Sequence, residues 1–344
     1  MKAGLVGYAL SGKTTLFHAL TGLHKGGGVV QIHLGAIKVP DPRVEQLSAI
    51  YKPKKTTFAE MRFADLPGAR GKGASLDAEA LKALSDVDAL CLVARGFPGG
   101  DGSAPDPVRE LNDFDAELVL ADLAVVERRL DRLRKEHGKT GSEYHELERL
   151  KAVLDEGKAL RTMAWTDAEA KEMAHFRFLS RLPILVVVNA PEADAAGSPS
   201  LPMRVAAGER GAEAIQLSAP VEAEIADLDA NDQPEFLASL GLEEPARTRF
   251  IRAAYHLLDY ISFFTVGEDE VRAWTIRRGD RAPRAAGRIH SDIERGFIRA
   301  EVMHYDDFVA AGSEHKAKEQ GKFRLEGKEY VVQDGDIVNF RFAV

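Results

Sequence analysis

Four short, largely apolar runs, Ala3 to Val6, Ala89 to Ala94, Ile184 to Val188 and Ala214 to Ser218, are separated by stretches of helical periodicity. Runs of this length read as strands covered on both faces, and their alternation with helices predicts a mostly parallel sheet wrapped by helices, an α/β fold. Phe58 to Ala64 differs, because Ala59, Met61 and Phe63 alternate with Glu60 and Arg62. That alternation predicts a strand with one wet face, at an antiparallel edge. Asp41-Pro42 followed by Val44, Leu47, Ile50 and Tyr51 predicts a capped helix with proline in its first turn.

From about Asp115 to Leu182 the α/β rhythm stops. Val119, Leu123, Val126, Leu130 and Leu133 recur at spacings of four and three among many charges, a heptad seam. A loop at Gly138 to Gly141 leads to Tyr144, Leu147, Leu150 and Leu154 with the same spacing on a returning helix, so the stretch predicts an antiparallel helical hairpin. Two ordinary core helices would give a similar pattern, although both stretches carry long charged faces. After about Ser262 come short strand patterns at Val271 to Ile276, Phe297 to Met303, Tyr330 to Val332 and Ile337 to Phe342. Gly327-Lys328 and Asp334-Gly335-Asp336 supply turns between them, and a small α+β domain fits.

At 344 residues and 45% hydrophobic content the chain can bury a large core and two or three structural units. A formal charge of −8 excludes a protein that is basic throughout, so contact with RNA requires a local patch. One arginine-dense stretch exists: Arg272, Arg277, Arg278, Arg281, Arg284, Arg288, Arg295 and Arg299. Acidic neighbours dilute it, which leaves a salt-bridged face and an RNA-contacting patch both open. Cys91 is the single cysteine, so no intramolecular disulfide forms, and its apolar surroundings assign it to the core. No signal-peptide pattern and no membrane-spanning apolar run is present, and a cytoplasmic protein with no membrane partner is expected.

The chemistry concentrates at Gly7-Tyr-Ala-Leu-Ser-Gly12-Lys13-Thr14, which fits G-x-x-x-x-G-K-[ST] between a strand and a helix. In such a loop backbone amides from Leu10 through Ser11 and Gly12 to Thr15 turn toward phosphates. Lys13 reaches the β and γ phosphates, and the Thr14 hydroxyl holds Mg²⁺. Asp65-Leu-Pro-Gly68 after the next strand has the D-x-x-G form. Asp65 is expected on Mg²⁺, usually through water, and the Gly68 amide on the γ phosphate. Asn189-Ala190-Pro191-Glu192 stands where GTPases carry N-K-x-D. There the lysine stem packs on guanine and the aspartate accepts its two N–H donors; here Ala190 replaces the lysine and Glu192 is one methylene longer. A site without that aspartate geometry has lost its physical reason to prefer GTP, so Asn189 and Glu192 are expected to read ATP. Ser218 and Ala219 would form the backbone wall of the base pocket.

Together these segments resemble the YchF family, also called Obg-like ATPases, of the translation-factor-related P-loop proteins. The resemblance runs through the P-loop, Val39-Pro-Asp-Pro-Arg43, Asp65 to Gly68, Leu120-Ala-Asp-Leu123, Val126-Glu-Arg-Arg-Leu130 and Asn189 to Glu192. It continues through Ile251 to Tyr255, Val271 to Ile276, Ala285 to His290, Gly296 to Glu301 and Val331 to Asp336. It implies an ATP-binding P-loop domain (1–114 and 183–261), a coiled-coil hairpin insertion (115–182) and a C-terminal β-grasp, TGS-like domain (262–344). It further implies a monomer that binds ATP and Mg²⁺ and meets the ribosome or its RNA through the hairpin and the terminal domain. Slow ATP hydrolysis, with Lys13 and Gly68 as the catalytic groups, is the leading expectation. A non-hydrolysing sensor or adaptor is the alternative, ahead of a GTPase; a small-molecule kinase explains the P-loop alone.

Three departures bear on turnover. No threonine lies between Thr21 and Thr56, where the family's switch would supply one; the region after Gly68 is shortened, with Ala69 where Ras-like enzymes place a glutamine and the family too has a hydrophobic residue; and Arg95-Gly-Phe97 with the following Pro98 to Pro107 lacks the histidine the family carries there. His33 and Ser48 are the nearest candidates for an adapted switch.

Overall fold

A computed structural model describes residues 2–22, 33–66, 78–100, 102–137, 140–229 and 231–343. The chain begins β1 (Lys2–Val6), α1 (Lys13–Thr21), β2 (His33–Lys38), α2 (Pro42–Tyr51), β3 (Lys55–Thr57), β4 (Glu60–Asp65), α3 (Ala78–Leu84) and β5 (Ala89–Arg95). Two longer helices follow, α4 (Pro107–His137) and α5 (Ser142–Asp155), then the short α6 (Asp167–Glu172). Next come β6 (Ile184–Asn189), α7 (Leu201–Glu209), β7 (Ala212–Leu217), α8 (Ala219–Asp227), α9 (Gln233–Ser239) and α10 (Ala246–Leu257). The last part holds β8 (Tyr260–Thr265), β9 (Glu270–Arg277), α11 (Ala282–Ile289), α12 (Ser291–Arg295) and β10 (Phe297–His304). It ends with α13 (Tyr305–Ala311), α14 (Glu314–Glu319), β11 (Arg324–Glu326) and β12 (Asp336–Phe342). These elements form two compact units, Met1–Ala36 with Arg62–Phe250, and Ile37–Met61 with Ile251–Val344.

The first unit is built on a sheet of order β2-β4-β1-β5-β6-β7, in which β4, β1, β5, β6 and β7 run parallel. The strands are apolar because helices cover both faces: β6 is buried at every position, and Cys91 in β5 is fully buried among them. Burial pushes the Cys91 thiol up to about 12, as expected of a packing residue. The chain moves outward from β1 in both directions, so β1 and β5 flank the point where strand order reverses, and the loop after β1 opens there.

β4 is not the antiparallel edge its alternation suggested. It lies between β2 and β1 and runs parallel to β1. The alternation is real only at its start, where Glu60 and Arg62 are exposed around Met61; from Phe63 to Asp65 every residue is buried.

The helical hairpin is present, and α4 is longer than its heptad seam. Leu111, Phe114 and Leu118 pack into the α/β core, whereas Val119, Val126, Leu130 and Leu133 pack against Tyr144, Leu147, Leu150 and Leu154 of α5. One uninterrupted helix of 31 residues therefore passes from the sheet into the hairpin, and its neighbours change between Leu118 and Val119. Beyond the seam, Arg129–Glu143 at 2.7 Å and Lys151–Glu127 at 3.1 Å join the two helices at the surface. Residues 138 and 139 of the connecting loop lie outside the described residues.

The second unit is an α+β layer: a mixed sheet of order β11-β10-β12-β8-β9-β3 with α11 on one face. β12 runs parallel to β8 between antiparallel neighbours, as a β-grasp requires. Residues 37–61, which the sequence reading counts with the nucleotide-binding part, belong here. β3 pairs with β9, Tyr51 stacks on Phe308 with ring centroids 5.6 Å apart, and Arg43 pairs with both Asp41 and Asp334 at 2.8 Å. Two motifs of the family resemblance, Val39 to Arg43 and Val331 to Asp336, are thus partners in packing. Among the described residues no helix is long and apolar enough to cross a membrane.

Candidate nucleotide-binding site

The loop after β1 is shaped by backbone conformations that side chains resist. Gly12 caps α1 at φ 89° and ψ 9°, and a Cβ there would stand 2.1 Å from Asn189 Nδ2. Only glycine meets both the left-handed backbone and the contact. Leu10 also has a positive φ, 64°, and its side chain is 84% exposed, so no packing offsets that strain. Helix α1 starts at Lys13, which turns the positive end of its dipole and its first-turn amides toward the loop.

Lys13 Nζ donates to Asp65 Oδ1 at 2.7 Å and to the Leu66 carbonyl, and both side chains are largely buried. The structure therefore brings the P-loop lysine and the D-x-x-G aspartate together from opposite ends of the motif set. Thr14 follows on the same first turn, and Thr15 is exposed. Thr14 and Asp65 supply the hard oxygen donors that Mg²⁺ takes, so the donor set fits that ion. Gly68 and Ala69 lie outside the described residues, as does the His33 side chain; Ser48 accepts from Thr56 Oγ1 at 2.9 Å in the second unit.

On the other side of the loop stands Asn189, 2% exposed at the end of β6. Its Nδ2 donates to the Ser11 carbonyl at 2.9 Å, and its Oδ1 accepts from the Ala219 amide at 2.8 Å. The residue expected to read the base thus holds the phosphate loop and the Ser218–Ala219 corner in register. Glu192 opens a short helical turn, Glu192–Asp194, and is exposed, whereas Ala190 is buried. Ser11 Oγ and Ser218 Oγ are buried without a hydrogen-bond partner, as is Tyr8 Oη, also in the P-loop. Native proteins rarely leave such groups unsatisfied, and three at one loop and its neighbour suit a site that takes a polar ligand. A nucleotide, with its phosphate acceptors, fits that donor set.

Residues that the sequence reading did not assign complete the surroundings. The Tyr8 phenol is pushed above its usual range by burial and by Glu117, Asp113 and Glu110 on the root of α4. Arg95, at the end of β5, donates its amide to Glu110 Oε2 at 3.0 Å, and the next amide, Gly96, donates to the Asn189 carbonyl at 2.9 Å. Their only sequence signal is the placing of Arg95-Gly96 directly after a buried strand.

The arginine-dense stretch of the second unit is mostly paired. Arg278 meets Asp259, Arg281 meets Glu329, Arg284 meets Asp280, Arg295 meets Asp292, and Arg288 donates to the Thr275 carbonyl. Arg272 lies 3.9 Å from the Trp274 ring centroid and from Glu270. Among the described residues, Arg277 and Arg299 are the members of this set whose exposed guanidinium groups carry neither a side-chain nor a backbone partner.

The chain is similar to known proteins along its whole length. The family model YchF-GTPase_C, described as a protein of unknown function (DUF933), matches residues 260–343. The chain is 39% identical over 365 residues to "Ribosome-binding ATPase YchF" of Bacillus subtilis, covering 100% of both chains. It is 38% identical to the protein of the same name from Haemophilus influenzae, covering 100% of this chain and 99% of that one. Among solved structures, the Schizosaccharomyces pombe "YchF GTPase" superposes with a TM-score of 0.87 at 30% identity, over 99% of this chain and 97% of that one. The names of these relatives differ over the nucleotide.

Proposed function

The chain belongs to the YchF family, and on that premise we propose that it is a cytoplasmic, Mg²⁺-dependent ATP-binding protein that hydrolyses ATP slowly and acts on the ribosome. The observation that carries the reading is the contact of Lys13 with Asp65 beside a glycine-shaped loop at the switch point of a parallel sheet. In this reading Gly12, Lys13 and the amides from Leu10 to Thr15 hold the phosphates, and Thr14 and Asp65 hold Mg²⁺. The metal supplies charge neutralisation for phosphoryl transfer; the chain's own residues bind and orient. Lys13 places a positive charge against the phosphates, and Gly68 contributes its amide to the terminal one. Asn189 sets the spacing between the phosphate loop and the Ser218–Ala219 wall. Glu192, with Ala190 in place of a lysine, removes the pair of groups that selects guanine, which supports ATP over GTP.

Contact with the ribosome is assigned to the hairpin and the second unit, whose arginine-dense stretch offers Arg277 and Arg299 to phosphate. The protein acts as a monomer in this reading. One observation favours a second reading, a non-hydrolysing sensor: no threonine lies between Thr21 and Thr56 to complete the metal shell of a switch.

Wild-type and Lys13→Ala proteins assayed for Mg·ATP binding and single-turnover hydrolysis, with and without ribosomes, test both. The wild type should bind ATP and turn it over faster on ribosomes, and folded Lys13→Ala should lose binding. Binding without any hydrolysis would select the sensor. Near-normal ATP affinity in folded Lys13→Ala would remove the phosphate assignment.

A further inference from the structure

Three hydrogen-bonded steps lead from the root of α4 to the centre of the nucleotide site. The Glu110 carboxylate, on the first turn of α4, accepts the Arg95 amide at 3.0 Å and stands 3.9 Å from the Arg95 guanidinium. The adjoining Gly96 amide donates to the Asn189 carbonyl at 2.9 Å. Asn189 then holds Ser11 of the phosphate loop through Nδ2 and Ala219 through Oδ1. Gly96 is required by closeness: a Cβ there would stand 2.9 Å from Asn189 O and 3.0 Å from Val188 Cγ1, so the strand end and the Asn189 backbone cannot drift apart without breaking this contact. Arg95 is also pinned outward, donating to Ser103 Oγ at 3.2 Å in the segment that leads into α4.

We propose that Glu110 is a positioning residue for the nucleotide site, tying the seating of the α4 root to the placement of Asn189 through Arg95 and Gly96. Among the described residues its carboxylate makes no hydrogen bond to the loop itself; it acts through the backbone at the end of β5. Because α4 continues without interruption into the hairpin, a displacement of the hairpin root and the occupancy of the phosphate loop bias each other by the same factor.

The coupling to nucleotide rests on the ATP-binding reading, whereas the positioning of Asn189 does not, and the test separates them. Amide exchange is measured on the nucleotide-free full chain for wild type, Glu110→Ala and Glu110→Gln; glutamine keeps an acceptor for the Arg95 amide and removes the charge. In Glu110→Ala the Gly96 and Ala219 amides should exchange about tenfold faster while the interior amides of β6 keep their protection. Glu110→Gln should restore most of it. Unchanged exchange at Ala219 in Glu110→Ala, or equal loss in both variants, overturns the proposal. ATP affinity measured on the same proteins with Mg²⁺ should fall about fivefold or more in Glu110→Ala and recover in Glu110→Gln. Equal affinity in wild type and Glu110→Ala also overturns it. If the wild type binds no ATP, the functional reading falls and the exchange result alone decides the positioning role.

Discussion

Gly12 shows how closely one residue can be constrained by geometry on two sides. Its φ of 89° disfavours any L side chain, and the missing Cβ leaves the space in which Asn189 Nδ2 reaches Ser11 O. Gly12→Ala should therefore displace Asn189 as well as strain the loop, and ATP affinity should drop by about tenfold or more while the protein stays folded, at a stability loss of about 1–2 kcal/mol. An equilibrium titration beside a thermal melt checks both. At this scale the spacing of Gly12, Lys13, Thr14 and Asp65 singles them out as candidates, and the structure brings Lys13 and Asp65 into contact. Asn189 stood out in the sequence as a candidate, but its use of both amide ends to hold two loops was not legible, because the pattern N-x-x-E carries no information about which backbone groups lie within reach. Glu110 and Arg95 were invisible as partners, since their contact depends on how a helix root meets a strand end.

Among the elements, α4 is the most informative. Heptad spacing identified its outer half, where Val126, Leu130 and Leu133 meet α5, and missed the inner half, where Leu111, Phe114 and Leu118 face a sheet. A helix that changes partners keeps its 3.6-residue period while its apolar stripe widens, so periodicity shows the helix but not where its neighbours change. The hairpin is held to the sheet by buried polar contacts more than by its surface ion pairs. Asp122 is 2% exposed and accepts the Leu179 and Ser180 amides at 2.9 and 2.7 Å, and Arg161 reaches Asp115, the Ser180 carbonyl and the Arg210 carbonyl. Burial pushes the Asp122 carboxyl up, so part of what its hydrogen bonds contribute offsets that cost. Asp122→Ala leaves two buried amides without an acceptor and should destabilise the protein by about 2–4 kcal/mol in a denaturant titration. Glu143→Ala, which breaks only the surface pair with Arg129, should cost less than about 1 kcal/mol in the same titration. The misjudged β4 has the same kind of origin: Glu60 and Arg62 signal a wet face for the first half of a strand whose second half is fully buried.

For the whole molecule, the chain passes from the first unit to the second at Ala36 and returns at Arg62, so the stretch between the P-loop helix and Asp65 carries a helix and a strand of the C-terminal unit. No composition shift marks either crossing, which is why sequence boundaries grouped residues 37–61 with their chain neighbours. The α/β class, the hairpin and the α+β terminal part were legible, because each rests on periodicity or turn chemistry repeated over many residues. For the base the sequence offers only a substitution, Ala190 and Glu192 where GTPases carry lysine and aspartate, and relatives bear both an ATPase and a GTPase name. The measurement that bears most directly on the account is therefore a competition titration of ATP against GTP, with Mg²⁺, on purified nucleotide-free protein. The account predicts that ATP displaces a bound fluorescent nucleotide at about tenfold or more lower concentration than GTP. Preference for GTP, or binding of neither, would contradict it.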